Sequence, residues 1–167
     1  MTSQAPIAEG RAVLHLSDVN LEDLADALET RFMEYETFFW MDPATGRIEL
    51  WGEEAADEAD AEGWDLDDRG GVRIDPIESY EAFGDMEAFI AGVTDAQCRE
   101  SLTRSIDHGK PFRHFKDTIH QFPEVPARWN EFHDAVMNVR AIEWLGENEL
   151  VDPAEVEAAL ALLRSTG

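Results

Sequence analysis

The stretch GKPFRHFKDTIHQFPEVPARWNEFHDAVMNVRAIEWL, Gly109 to Leu145, decides how this chain is read. Phe112, Phe115, Ile119 and Phe122 recur at spacings of three, four and three, the rhythm of one inward helix face. Pro111 suits the first position of that helix, and Pro123 and Pro126 bracket the turn that ends it. A second helix is predicted from about Ala127 to Leu145, with Trp129, Phe132, Val136, Val139 and Ile142 on one stripe. His133, Met137, Arg140 and Trp144 form a separate stripe on it. The aromatics are read as core, because stripes at helical spacing are packing surfaces first.

Outward from this stretch the pattern stays helical in both directions. Phe83, Met86, Phe89, Ile90 and Val93 mark one face, and Thr94 with Gln97 makes a capping box for a helix carrying Cys98, Leu102 and Ile106 and stopping at Gly109. Downstream, Asp152-Pro153-Ala154-Glu155 opens a C-terminal helix with Val156, Leu160 and Leu163 inward. Towards the start, Met1 to Gly10 reads as a loose tail and Ala12 to Leu16 as a short strand. Asn20 then caps a helix through Leu21, Leu24, Leu28 and Phe32. FFWMD and RIELW flank Pro43-Ala44-Thr45-Gly46, which predicts a β-hairpin at about residues 37–51. Gly70 to Ile74 returns as a strand beside it, closed by Pro76. The fold class is therefore α+β: a small N-terminal antiparallel sheet with one helix, packed on a mainly helical C-terminal part. Residues 1–167 read as a single domain, with an α/β part at 11–76 and a helical part at 77–167.

Charge narrows the functions. The formal net charge is −24, which argues against direct nucleic-acid binding, since phosphates are held by clustered Lys and Arg. A basic protein partner suits it better. A plainer origin is compositional bias or a salt-tolerant cytosol, where charge serves solubility; Lys110 and Lys116 are the only lysines. Cys98 is the single cysteine, so neither a disulfide within the chain nor a Cys-rich zinc site can form. Without a signal-peptide pattern or a long apolar run, the expectation is a cytoplasmic protein with no membrane contact.

Nine acids crowd between Glu53 and Asp68: Glu53, Glu54, Asp57, Glu58, Asp60, Glu62, Asp65, Asp67 and Asp68. Self-repulsion and weak periodicity predict a solvated loop over 53–68. The sharper alternative is an interaction arm, with Trp64 anchoring in a pocket while the carboxylates meet a basic protein, or with the segment folding across the Arg113 and Arg128 region of its own chain. The spacing lacks the glycine and closing Glu of an EF-hand, and no histidine pair has metal-ligand spacing, so neither metal nor cofactor is expected.

The run Phe112-Arg113-His114-Phe115-Lys116-Asp117, then Pro123, Arg128-Trp129, Phe132 and Arg140-Ala141-Ile142-Glu143-Trp144-Leu145, resembles a widespread bacterial family, the uncharacterised protein family numbered one-five-eight. Ile77-Glu78-Ser79-Tyr80, Met86, Phe89 and the hairpin turn at Thr45 and Gly46 extend the resemblance to about residues 15–148. It implies no activity. His114 stands where that family usually has a second arginine, so an anion bound there would be held less strongly, or only by protonated histidine.

Arg113, Lys116 and His120 share one helix face. If the two helices lie side by side, Arg113, Lys116, Arg128 and Arg140 converge on a phosphate or carboxylate, with His114 or His133 moving a proton and Trp144 beside them. Against this, Arg113 with Asp117, Glu100 with Arg104 and Arg128 with Glu131 have the spacing of ordinary helix ion pairs, and Gly109 to Leu145 balances five cations with five acids. The leading expectation is a non-enzymatic interaction or regulatory protein that binds a basic partner through its acidic surface. The alternatives are a small-ligand protein or enzyme using the Arg/Lys/His cluster, and a nucleic-acid mimic.

Overall fold

A computed structural model describes residues 14–34 and 36–166. The tail predicted at Met1 to Gly10, and Ala12 and Val13 of the predicted first strand, lie outside the described residues. The fold is α+β, with a three-stranded antiparallel sheet near the N-terminus and a mostly helical remainder. Its contacts divide into two compact units: residues up to Pro76 together with those from Asn138 onward, and Ile77–Met137. The residues from Asn138 onward thus group with those up to Pro76.

In the first unit the strands are β1 (Phe38–Met41), β2 (Ile48–Trp51) and β3 (Val72–Ile74), in the order β2-β1-β3. Phe38 faces Trp51 and Met41 faces Ile48 across the hairpin; on the other side Phe39 pairs with Ile74 and Met41 with Val72. The central strand is covered on both faces, since the adjacent Trp40 and Met41 are both buried. The hairpin turn depends on Gly46, at φ 80°, whose N–H donates to the Asp42 carbonyl at 2.8 Å. A Cβ there would lie 3.0 Å from the Asp18 carbonyl oxygen, so conformation and space both require glycine.

Helix α1 (Leu21–Glu29) begins as predicted, with the Asn20 side chain accepting from the Asp23 N–H, and buries Leu24, Ala27 and Leu28. It stops at Glu29, so Phe32 is not its fourth apolar residue; Phe32 instead meets Phe39 edge-on at 5.3 Å. The described part of the strand expected at Ala12 to Leu16 is likewise corrected. Leu14 makes one parallel bridge to Val151, and Leu16–Asp18 turn as a 3-10 helix, with the Asp18 N–H donating to the His15 carbonyl at 2.9 Å.

That bridge is held by a polar clasp. Glu155, in the first turn of α7 (Pro153–Thr166), accepts from the Leu16 N–H at 2.8 Å and from His15 Nδ1 at 3.1 Å. The hydrogen bond to Glu155 raises the His15 pKa, and the Leu16 N–H lowers that of Glu155. The histidine's contribution is complete below its unfolded value and is lost as pH rises through the raised folded value. The carboxylate's is complete above its unfolded value and is lost as pH falls through the lowered folded value. The clasp is therefore tightest between about pH 4.3 and 6.5, the ordinary Glu and His values. An NMR titration should place the His15 midpoint above the ordinary histidine value, and Glu155→Gln should bring it down; an unmoved midpoint in that variant would show that the clasp does not form.

The second unit is built from α3 (Ser79–Ala91), α4 (Ala96–Ile106), α5 (Pro111–Ile119) and α6 (Val125–Glu147) as far as Met137. Helix α4 packs on α3 and α5. Met86, Phe89, Ile90, Cys98, Leu102, Ile106, Phe115, Ile119 and Val125 form its buried core, with Trp129 and Phe132 packed against it. Phe115 lies 4.8 Å from Trp129 and 6.3 Å from Phe89, both edge-on, so the aromatic stripes are core as read. Phe112 is the exception: one turn too early on α5, it is 42% exposed rather than inward. Asp95 rather than Thr94 caps α4, accepting from the Gln97 N–H. Helix α5 ends at Ile119, before Phe122, and α6 begins at Val125, with Pro126 inside its first turn.

Candidate functional site

The acidic segment departs most from expectation. Residues Glu53–Glu62 form helix α2 rather than a loop. Ala55 and Ala56 are half-buried and Ala59 buried, so three small side chains on one face let the helix lie against β2. The six carboxylates of Glu53, Glu54, Asp57, Glu58, Asp60 and Glu62 are all exposed. Like charges at i,i+4, such as Glu54 and Glu58, each oppose the helix by a few tenths of a kcal/mol. Docking and termination offset that repulsion. Gly63, at φ 84°, closes the helix, and the Trp64 N–H donates to the Ala59 carbonyl at 3.0 Å. The Trp64 ring then sits 5.9 Å from Trp51 and 6.4 Å from Trp40, with the Arg69 guanidinium 3.8 Å from its centre. Trp64 thus packs within its own chain, against Trp40 and Trp51. Asp65, Asp67 and Asp68 continue the exposed acidic surface. Among the described residues, no ion pair neutralises any of these nine carboxylates.

The predicted cationic cluster is distributed. Arg113, His114 and Lys116 are exposed on α5. Arg128 is exposed in the first turn of α6, and His133 is half-buried with its ring 5.3 Å from Trp129. Arg140 and Trp144, both half-buried, belong to the other unit. Of the three ion pairs expected from spacing, Glu100 with Arg104 is present at 3.8 Å. Among the described residues, none joins Arg113, Lys116 or Arg128 to a carboxylate. Nor, among them, do three His, Cys, Asp or Glu side chains meet as a metal site.

One cavity of about 280 Å³ lies in the second unit, lined by residues 93–95, Cys98, residues 122–125 and Arg128. Arg128 is the only one of the seven predicted anion-site residues on its wall. Cys98 and Val125 are buried, Val93 and Phe122 half-buried, and Thr94, Asp95, Glu124 and Arg128 exposed. Its floor is therefore apolar and its rim polar. Glu124 has a left-handed backbone, φ 69°, at the tight turn into α6, where its carbonyl accepts from the Arg128 N–H at 3.1 Å. Burial and the Asp95 charge push the Cys98 thiol up, while the Arg128 charge pulls it down. The thiol is consequently protonated and a poor nucleophile. Sequence reading missed Asp95 and Glu124 here, because each is a helix-boundary residue whose local role hides the shared cavity. The boundaries themselves, a cap beside a valine and a turn at Pro123, were the available signal.

The chain matches, over residues 17–164, the model of the uncharacterised protein family UPF0158. It belongs to the UPF0158 family. The match takes in most of α7, beyond the stretch to about residue 148 that the motifs cover. A UPF0158 relative, the UPF0158 protein PA5073 of Pseudomonas aeruginosa, is 27% identical over 150 residues, spanning 89% of this chain and 94% of that protein. No solved structure matches this UPF0158 chain. Among its described residues, no helix is long and apolar enough to cross a membrane.

Proposed function

We propose that this protein is a cytoplasmic, non-enzymatic interaction module that receives a basic protein segment on helix α2. What supports the reading is that the six carboxylates of α2 stand on an ordered helix, about 15 Å long, docked through its alanines and, among the described residues, not joined to any cation by an ion pair. A fixed row of charge gives orientation and fast, salt-sensitive encounter, which a solvated loop of the same composition gives less well.

The test uses an arginine-rich helical peptide, titrated by calorimetry at low and at physiological salt. Binding should weaken at least tenfold in a Glu54→Gln, Asp57→Asn, Glu58→Gln variant, which keeps all three docking alanines. A Glu22→Gln, Asp23→Asn, Asp26→Asn variant on α1 carries the same charge change and should bind as the wild type does. Equal losses in both variants would reduce the effect to net charge and sink the reading.

A further inference from the structure

The cavity of the second unit presents both signs of charge around an apolar floor, which the acidic helix does not explain. Arg128, Asp95 and Glu124 line it and are all exposed. Opposite charges sharing one small rim would ordinarily close on each other. Here, among the described residues, no ion pair joins Arg128 to any carboxylate, although Glu124 is four residues behind it and Glu131 three ahead. Asp95 spends one hydrogen bond on the Gln97 N–H and keeps further lone pairs free. The Cys98 thiol on the same wall is pushed up by burial and by the Asp95 charge and pulled down by the Arg128 charge.

We propose that this cavity binds a small zwitterion, of the class of free α-amino acids with a short apolar side chain. Arg128 takes the carboxylate, where a guanidinium makes two parallel hydrogen bonds. Asp95 and Glu124 take the ammonium. Val93, Phe122 and Val125 receive the side chain. Two carboxylates against one guanidinium make the rim net negative, which disfavours phosphate and other pure anions. The volume of about 280 Å³ is at the lower edge of small-molecule sites, which accommodates an amino acid. The inference is independent of the reading of α2, since no residue is shared.

The experiment is an NMR titration of the whole chain with L-leucine and with L-methionine, following the signals of Cys98 and Val125. Saturable shifts are expected, with half-saturation below about 1 mM. N-acetyl-L-leucine, which lacks the ammonium, and L-leucinamide, which lacks the carboxylate, should each bind at least tenfold more weakly. Arg128→Ala should lose binding tenfold or more with its melting temperature unchanged, while Arg113→Ala should bind normally. Should Arg128→Ala fail to fold, Arg128→Lys and the two analogues carry the test. Three results would overturn the proposal: no saturable shift at about 10 mM of either amino acid, N-acetyl-L-leucine binding as well as leucine, or wild-type binding by the Arg128 variant.

Discussion

Replacing Phe115 with alanine should lower stability by about 3–5 kcal/mol, read as a fall in the urea midpoint at unchanged slope. The side chain is 1% exposed, and its ring is held edge-on by Phe89 and Trp129. Removing it leaves a void bounded by two other rings, which cannot collapse without losing their own contacts. The result bears on function as well. Phe115 stands between Arg113 and Lys116 in the run that carries the family resemblance, so a loss below about 1 kcal/mol would mean that the run is not held as core.

Trp40→Ala should cost a similar amount, about 3–5 kcal/mol, from the other unit. Trp40 is 2% exposed and lies within 6.4 Å of Trp64. Gly71 supplies the control. A Cβ on Gly71 would lie 2.7 Å from Trp40 Cε3 and 2.6 Å from Leu66 Cδ1, so Gly71→Ala should destabilise by about 1–3 kcal/mol through overpacking. Once the indole is gone the Trp40 part of that clash goes with it, and Leu66 gains room to move aside. The double variant should therefore be less destabilised than the sum of the two, by a margin that a double-mutant cycle measures. Strict additivity would show that Gly71 is not packed on Trp40.

The parts of the fold legible in the sequence were those with a boundary residue and a periodic face together. Helix α7 is an example: the Asp152 side chain accepts from the Ala154 N–H at 2.8 Å and Pro153 is its first residue, as the tetrapeptide predicts. The hairpin is another, with glycine at the one turn position where φ is positive. Helix α2 was not legible because its inward face is alanine, whose small apolar area leaves almost no hydrophobic rhythm among the carboxylates. Its helicity rests on contact with β2, information that sits outside the segment. Arg128 could be selected as a cation, but nothing local shows that Asp95, on another helix end, would line the same cavity. Arg113 and Lys116 shared a face as expected, and that face is exposed.

The discontinuity of the first unit has a consequence for the order in which the chain can be built. Ile77–Met137 is contiguous and contains its own buried core, so a ribosome releases everything that unit needs in one stretch. The residues up to Pro76 are made first yet complete their unit only when those from Asn138 onward follow. The bridge from Leu14 to Val151 closes a loop across most of the chain, and closure of long loops is the slow, entropically opposed step in assembling a fold. Leu14 to Leu16, made early, must therefore wait on Val151 and Glu155 for their partners, while Ile77–Met137 can fold in the interval.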